Sequence, residues 1–198
     1  MRFVAVLALF VASQAFGADI NPGMIEAADG FVYGTATDGK GGTLFKIKPD
    51  GTGFTRIHEF NDPALGARPL SGVVEGRDGA LYGTTSRGGD LTCLPPGGCG
   101  VVYKIEKDGS GYAVLHRFEA YPDGRYPASA LVAEGDFLYG RIEIGGDGSG
   151  DCDCGAIYQL RPNGTEYKMV HRYNFDTGEG VVNLALGSRG VVFKLTSH

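Results

Sequence analysis

The sequence predicts an all-β protein: a β-propeller-like array of four-stranded antiparallel blades, about three and a half in number, which leaves open an incomplete ring, a ring completed by a second chain, or a piece of a longer array. Three observations predict it. A hexapeptide recurs as Gly-Phe-Val-Tyr-Gly-Thr ending at Thr35, Gly-Ala-Leu-Tyr-Gly-Thr ending at Thr84 and Asp-Phe-Leu-Tyr-Gly-Arg ending at Arg141. Each copy is followed by an apolar-aromatic run (Leu44 to Ile47, Val102 to Ile105, Ile157 to Leu160), then an Asp-Gly or Asn-Gly pair, then a run holding His58, His116 or His171. The spacings are unequal in a telling way. From Phe45, Tyr103 or Tyr158 to the histidine is 13 residues in every copy, and from a histidine to the next Tyr-Gly is 24 and then 23, but from Tyr-Gly to the second run is 12, 21 and 19. Length variation therefore sits in one connection per repeat, because a surface loop absorbs insertions at little entropic cost while strands and tight turns do not.

Residues 1–17 stand before the repeats. Met1 and Arg2 give a positive start, Phe3 to Ala12 are apolar, and Ser13 to Ala18 end in small residues. That order predicts a secretory signal peptide, cut before Ala18 with Ala15 and Gly17 at the recognition positions, or one residue later. The apolar run is shorter than the roughly 20 residues a membrane-spanning helix needs. No later segment approaches that length, so the mature chain is expected to be soluble.

Residues 18–198 are expected to form one domain, with repeats at about 23–69, 70–127 and 128–180 and a partial one at 181–198. The second copy shows the plan: strands a to d at Leu70–Glu75, Ala80–Thr85, Val101–Glu106 and Tyr112–Phe118, turned by Asp78-Gly79 and Asp108-Gly109. Asp-Gly supplies the positive φ that tight hairpins demand. The strands carry continuous apolar runs in place of strict alternation, which fits sheets buried on both faces as stacked blades are. A stack of hairpins or a β-sandwich is the competing arrangement.

Phe193 lies 22 residues after His171 and so occupies the Tyr-Gly slot, although Val192-Phe193-Lys194-Leu195 looks like a third strand. On the spacing, Val182–Leu186 and Val191–Leu195 are strands a and b of a fourth unit. An open blade edge invites pairing with another chain, so self-association into a dimer or larger species is expected.

Composition agrees with many tight turns. The chain has 34 Gly and no Trp, yet 42% of its residues are hydrophobic, which argues against disorder. The net charge is −5, becoming −6 once Arg2 is removed. A mildly acidic chain without a Lys/Arg cluster repels phosphate backbones, so nucleic acid is not an expected partner.

These residues also carry a resemblance. Leu81 to Gly89 (Leu-Tyr-Gly-Thr-Thr-Ser-Arg-Gly-Gly), Gly98 to Ile105 (Gly-Cys-Gly-Val-Val-Tyr-Lys-Ile), Asp108-Gly109, Leu115-His116-Arg117-Phe118 and Asp123-Gly124 before Pro127 resemble the GloVer (Gloeo/Verruco) tandem repeat of exported bacterial proteins. The likeness spans the mature chain, and the second copy is closest to the pattern. It implies export and repetition, often in longer arrays, and no particular reaction.

Cys93 and Cys99 lie in the long b-to-c loop of the second copy, and Cys152 and Cys154 in that of the third. Cysteines of an exported chain are expected to form disulfides. Cys93 with Cys99 closes a small loop, whereas Cys152 with Cys154 would be a tight ring, and pairing between the two loops is the alternative. A zinc site would want wider gaps. The three histidines fall on the outermost strand, d, where symmetry spaces them apart, so they are expected to pack beside Phe60, Phe118 and Tyr173 without converging on a metal.

If strands alternate in direction, the variable loops and the d-to-a connections share one face, and the short turns emerge on the other. The variable face is acidic. Asp90, Tyr121, Asp123, Tyr126 and Asp176 on it form a candidate binding face for a carbohydrate or cell-surface ligand, since aromatic rings and carboxylates suit sugars and hard cations. A solvated surface accounts for the same residues. No cofactor is expected, calcium being the one candidate. Asp147, Asp151 and Asp153 place oxygens at alternate positions, as in the opening of a calcium loop, without its closing bidentate glutamate. Two function classes remain: an exported non-catalytic binding or surface-interaction module, or an extracellular polysaccharide hydrolase or lyase that uses Asp123 with Asp147 or Asp176 as acid and base.

Overall fold

The computed structural model of the chain describes residues 19–37, 41–145, 155–173, 183–186 and 192–195. The first repeat forms β1 (Asp19–Ile20), β2 (Ile25–Glu26), β3 (Val32–Thr37), β4 (Thr43–Ile47) and β5 (Thr55–Glu59). The second forms β6 (Val74–Glu75), β7 (Leu81–Thr85), β8 (Val101–Ile105) and β9 (Ala113–Arg117), followed by one helical turn, α1 (Ala120–Asp123). The third forms β10 (Val132–Glu134), β11 (Phe137–Ile142), β12 (Ala156–Leu160) and β13 (Lys168–Arg172). Last come β14 (Asn183–Leu186) and β15 (Val192–Leu195). Within each sheet the neighbours are antiparallel and follow chain order, β6-β7-β8-β9 and β10-β11-β12-β13, with β1 and β2 sharing the inner edge of β3. The result is an open, propeller-like array of three blades and a two-stranded sheet. β14 lies beside β10 as β10 lies beside β6, so the final pair takes the a and b positions that spacing assigned to it.

Strand a of the second blade is shorter than expected, starting at Val74 where Leu70 was predicted. Ser71 and Gly72 serve the joint between blades instead: Thr35 donates its hydroxyl to the Ser71 carbonyl at 2.8 Å, and the Gly72 N–H donates to the Pro22 carbonyl at 2.7 Å. The next joint repeats the first of these bonds, from Thr84 to the Ser129 carbonyl at 3.2 Å. The threonine after Tyr-Gly thus clamps the first blade to the second and the second to the third; in the third copy Arg141 stands at that place.

The glycine of that motif has its own cause. Gly34, Gly83 and Gly140 lie directly opposite Phe45, Tyr103 and Tyr158 in the b–c ladders. A β-carbon on any of them would overlap the facing ring. The ring of strand c lies across strand b only where strand b has no side chain.

Both faces of the second blade are buried. Leu81, Val101, Tyr103 and Ile105 join Tyr33, Leu44, Phe60 and Val73 in one cluster, while Tyr82, Val102 and Phe118 join Leu131, Leu138 and Tyr158 in another. That accounts for the continuous apolar runs: alternate residues enter different cores.

Each outer strand bulges at one place. Ladder register shifts between Leu44 and Phe45, Val102 and Tyr103, and Ile157 and Tyr158, leaving Ile57, Leu115 and Val170 as the extra residue before the histidine. A bulge bends its strand and re-aims the neighbouring side chain. His58 then lies edge-on to Phe60 and stacks on Tyr112 of the next blade, centroids 4.2 Å apart. His116 does the same with Phe118 and Tyr167, the latter at 3.6 Å. His58 and His116 thus fasten one blade to the next, and His171 packs edge-on to Tyr173 of its own blade.

Candidate functional site

The variable loops and the d-to-a connections do share a face. Ala67, on the way into the second blade, bridges Arg87 of the long b-to-c loop, and Arg125 bridges Ile144 in the same manner one blade on. Cys93 and Cys99 form a disulfide in this loop with Cα atoms 5.6 Å apart. Its ends are further pinned by Gly88 N–H to the Gly97 carbonyl at 2.8 Å and Gly100 N–H to the Gly88 carbonyl at 2.9 Å.

Of the residues named for this face, Asp90 caps its own turn, accepting from the Thr92 N–H at 2.8 Å and hydroxyl at 2.7 Å. Those bonds hold its carboxyl below the ordinary carboxylate range. Asp123 points inward. Its Oδ2 lies 3.0 Å from His116 Nε2, with only 14% of its side chain exposed. Tyr126 takes a positive φ of 61° and lies under the Arg87 guanidinium at 4.6 Å. Tyr121 alone among them stands out into solvent, 63% exposed. The structure therefore brings Asp123 to a histidine, Tyr126 to an arginine, and no two of the four named residues to each other in a direct bond. Asp147, Asp151 and Asp153, Cys152 and Cys154, and Asp176 lie outside the described residues, as does the segment read as a signal peptide.

A concavity lies on the opposite face. Between the second and third blades, where the short turns emerge, the surface is recessed into an open cavity of about 910 Å³. Its walls come from the a–b turn of the second blade (Glu75 to Gly79), the a–b hairpin of the third (Ala133 to Leu138), the c–d turn of the third (Arg161 to Asn163), and Ala28 of the first. The c–d turns of the three blades, of which the third lines the cavity, are built alike. Asp50, Asp108 and Asn163 each accept from the backbone N–H and the hydroxyl of the residue two ahead, and the intervening glycines Gly51, Gly109 and Gly164 have φ of 85°, 91° and 83°. A short polar side chain closing on its own backbone makes such a turn rigid.

The third a–b hairpin departs from the pattern. In the first two blades an aspartate four residues before the core tyrosine accepts its hydroxyl: Tyr33 to Asp29 and Tyr82 to Asp78, each at 2.7 Å. Asp78 also accepts from Lys104 Nζ at 2.9 Å and the Ala80 N–H at 3.3 Å. Burial pushes the Asp78 carboxyl up, but these donors outweigh it and hold the pKa below the ordinary range. In the third blade the hairpin is one residue shorter. Gly135 stands four before Tyr139, Gln159 stands opposite Tyr139 where Lys104 stands opposite Tyr82, and the aspartate has moved to Asp136, facing the cavity.

Arg77, Asp136, Phe137 and Arg161 thus form a constellation that the sequence reading did not single out. Asp136 Oδ1 is 3.7 Å from Arg77 Nη1 and its Oδ2 is 3.8 Å from Arg161 Nη1. Arg161 lies over the Phe137 ring at 4.7 Å and is bonded to Glu166. Glu75, deeper in, accepts from the Ala28 N–H at 2.8 Å and pairs with Lys107. The signal that could have found them was the histidine-to-Tyr-Gly step of 23 against 24.

Among the described residues no helix is long and apolar enough to cross a membrane. Among curated proteins none matches the sequence. Solved structures match the fold. A chain of a nidogen/laminin complex aligns with a TM-score of 0.58 at 16% identity, over 86% of this chain and 53% of that one. A chain assigned as a gluconolactonase aligns with 0.53 at 14%, over 89% and 58%. A chain assigned as TolB from Agrobacterium tumefaciens aligns with 0.52 at 14%, over 78% and 49%. This chain spans about half the length of those structures, and at such identities the likeness is one of fold. The sequence itself is matched by the model of one repeat family over residues 4–198, and the chain belongs to that family, the Gloeobacter/Verrucomicrobia repeat.

Proposed function

We propose that the chain is an exported, non-catalytic binding module whose ligand is a carbohydrate, seated in the cavity between the second and third blades. The cavity itself carries the reading. Its size falls within the ~300–1,000 Å³ typical of ligand sites, and it joins apolar surface (Ala133, Phe137, Leu138) to a few convergent polar groups (Arg77, Asp136, Arg161), the combination that holds a sugar ring by its face and its hydroxyls. Its walls include tight turns whose backbone is fixed by Asp78 and Asn163, so little backbone entropy is lost on binding. Export is supported by the leader-like start of the chain and by the Cys93–Cys99 disulfide, which belongs to an oxidising compartment.

The test is a glycan array on the oxidised mature protein, followed by amide NMR spectra with whichever glycan is retained. Retention without turnover, with shifts at Gly76, Gly79 and Gly135, is expected. Shifts confined to the variable-loop face around Gly97, turnover of the glycan, or no retention on the array would each overturn the reading.

A further inference from the structure

We infer that the ligand of this cavity is anionic, a glycan carrying uronic acid, whose carboxylate takes the position between Arg77 and Arg161 that Asp136 now holds. This deepens the proposed function and rests on the cavity being the binding site. The argument starts from the three carboxylates in the walls. Two of them are spoken for. Glu75 is held by the Ala28 N–H and by Lys107, and Asp78 by Tyr82, Lys104 and Ala80. Their negative charge is matched by lysines of the same blade, so neither offers a ligand a free acceptor or a strong repulsion.

Asp136 differs. Each of its oxygens faces one guanidinium, yet at 3.7 and 3.8 Å neither contact is a hydrogen bond. Its side chain is 71% exposed and that of Arg77 76% exposed, so the ion pair is weak and easily opened. The two arginines come from different elements, the second blade's a–b turn and the third blade's c–d turn, and converge on one carboxylate position. Planar guanidinium groups bind carboxylates through paired N–H donors, so a ligand carboxylate able to reach hydrogen-bonding distance of both would outcompete Asp136. Arg161 is already oriented, stacked on Phe137 and bonded to Glu166. Phe137 also offers ring surface beside it for the sugar that bears the acid.

The experiment is titration calorimetry of the oxidised mature protein with a galacturonate trimer and with the uncharged galactose trimer, on wild type, Arg77→Ala and Asp136→Asn. Both positions are exposed, so the variants retain the fold, which circular dichroism checks. Arg77→Ala is expected to weaken the galacturonate trimer about tenfold, and Asp136→Asn to strengthen it several-fold, on the scale of close charge pairs at interfaces. The galactose trimer, which meets these groups only through neutral hydroxyls, should weaken far less than the galacturonate trimer in Arg77→Ala and should gain nothing from Asp136→Asn. Galacturonate affinity that is unchanged in Arg77→Ala or lowered in Asp136→Asn overturns the inference. So does galactose binding as tight as galacturonate, although that result leaves the carbohydrate site standing. Binding of neither trimer, together with an empty glycan array, overturns both.

Discussion

Tyr103 sits directly across the ladder from Gly83, its ring laid over the spot where a side chain on Gly83 would stand. The pair is repeated by Tyr158 with Gly140 and, with phenylalanine, by Phe45 with Gly34. This is why Tyr-Gly is the most regular feature of the chain. Gly83→Ala is expected to destabilise the protein by about 1–3 kcal/mol, the range for overpacking a filled core. Urea denaturation measures it, and an unchanged midpoint would show that the ring has room to move.

The tyrosine hydroxyls of this chain divide into two kinds, and removing them should have opposite effects. The hydroxyls of Tyr103 and Tyr158 are buried without a hydrogen-bond partner, and the first repeat places Phe45 where they stand. Tyr103→Phe is therefore expected to leave stability unchanged or raise it by up to about 1 kcal/mol, since an unsatisfied buried polar group is removed. Tyr82→Phe deletes a bond to a carboxylate and strands part of Asp78's acceptor capacity, so it should cost about 1.5–3 kcal/mol. Equal effects in the two variants would contradict this assignment.

The stacked pair His58 and Tyr112 joins the first blade to the second. A double-mutant cycle with His58→Ala and Tyr112→Ala should give a coupling of about 0.5–1.5 kcal/mol, whereas His58→Ala with Tyr167→Ala, one joint further on, should be additive. Burial between Phe60 and Tyr112 pushes the His58 pKa down, more than Glu59 raises it. A base with a depressed pKa favours the folded state in its neutral form. Its contribution is complete above the unfolded value of about 6.5 and is lost as pH falls through the lower folded value, a decline that His58→Ala should remove.

The framework was legible because the strands and tight turns of a blade cannot change length, so comparison of the copies isolates them. The same comparison hid the bulge. Ile57, Leu115 and Val170 are extra residues in every copy, and an irregularity shared by all leaves the 13-residue step unchanged. The cavity escaped the sequence reading for a related reason. Composition drew attention to the acidic variable face, but a carboxylate counted in a sequence shows no sign of the bond that will occupy it. Asp90 is taken by Thr92 and Asp123 by His116. The informative signal was a single missing residue before Tyr139, which moves an aspartate from capping a tyrosine to facing a cavity.

Ionisation of the core tyrosines should set the alkaline limit of the fold. Burial raises the pKa of Tyr33, Tyr82, Tyr103, Tyr112, Tyr158 and Tyr167, helped in the first two by hydrogen bonds to Asp29 and Asp78. Below pH about 10 both folded and unfolded chains keep these protons, and stability does not depend on them. Above it the unfolded chain releases protons that the folded chain retains, so stability falls by up to about 1.4 kcal/mol per pH unit for each such tyrosine. Asp29 and Asp78 act at the other end. Burial raises their carboxyls, but the tyrosine, backbone and lysine partners together outweigh it and hold them low, and the stability they contribute is present above pH about 4 and lost as pH falls through their depressed values. Absorbance of tyrosinate near 295 nm, followed with circular dichroism, should show most tyrosines ionising together in one sharp step as the sheets are lost. A gradual titration centred near pH 10 with the sheets intact would show that the rings are open to water.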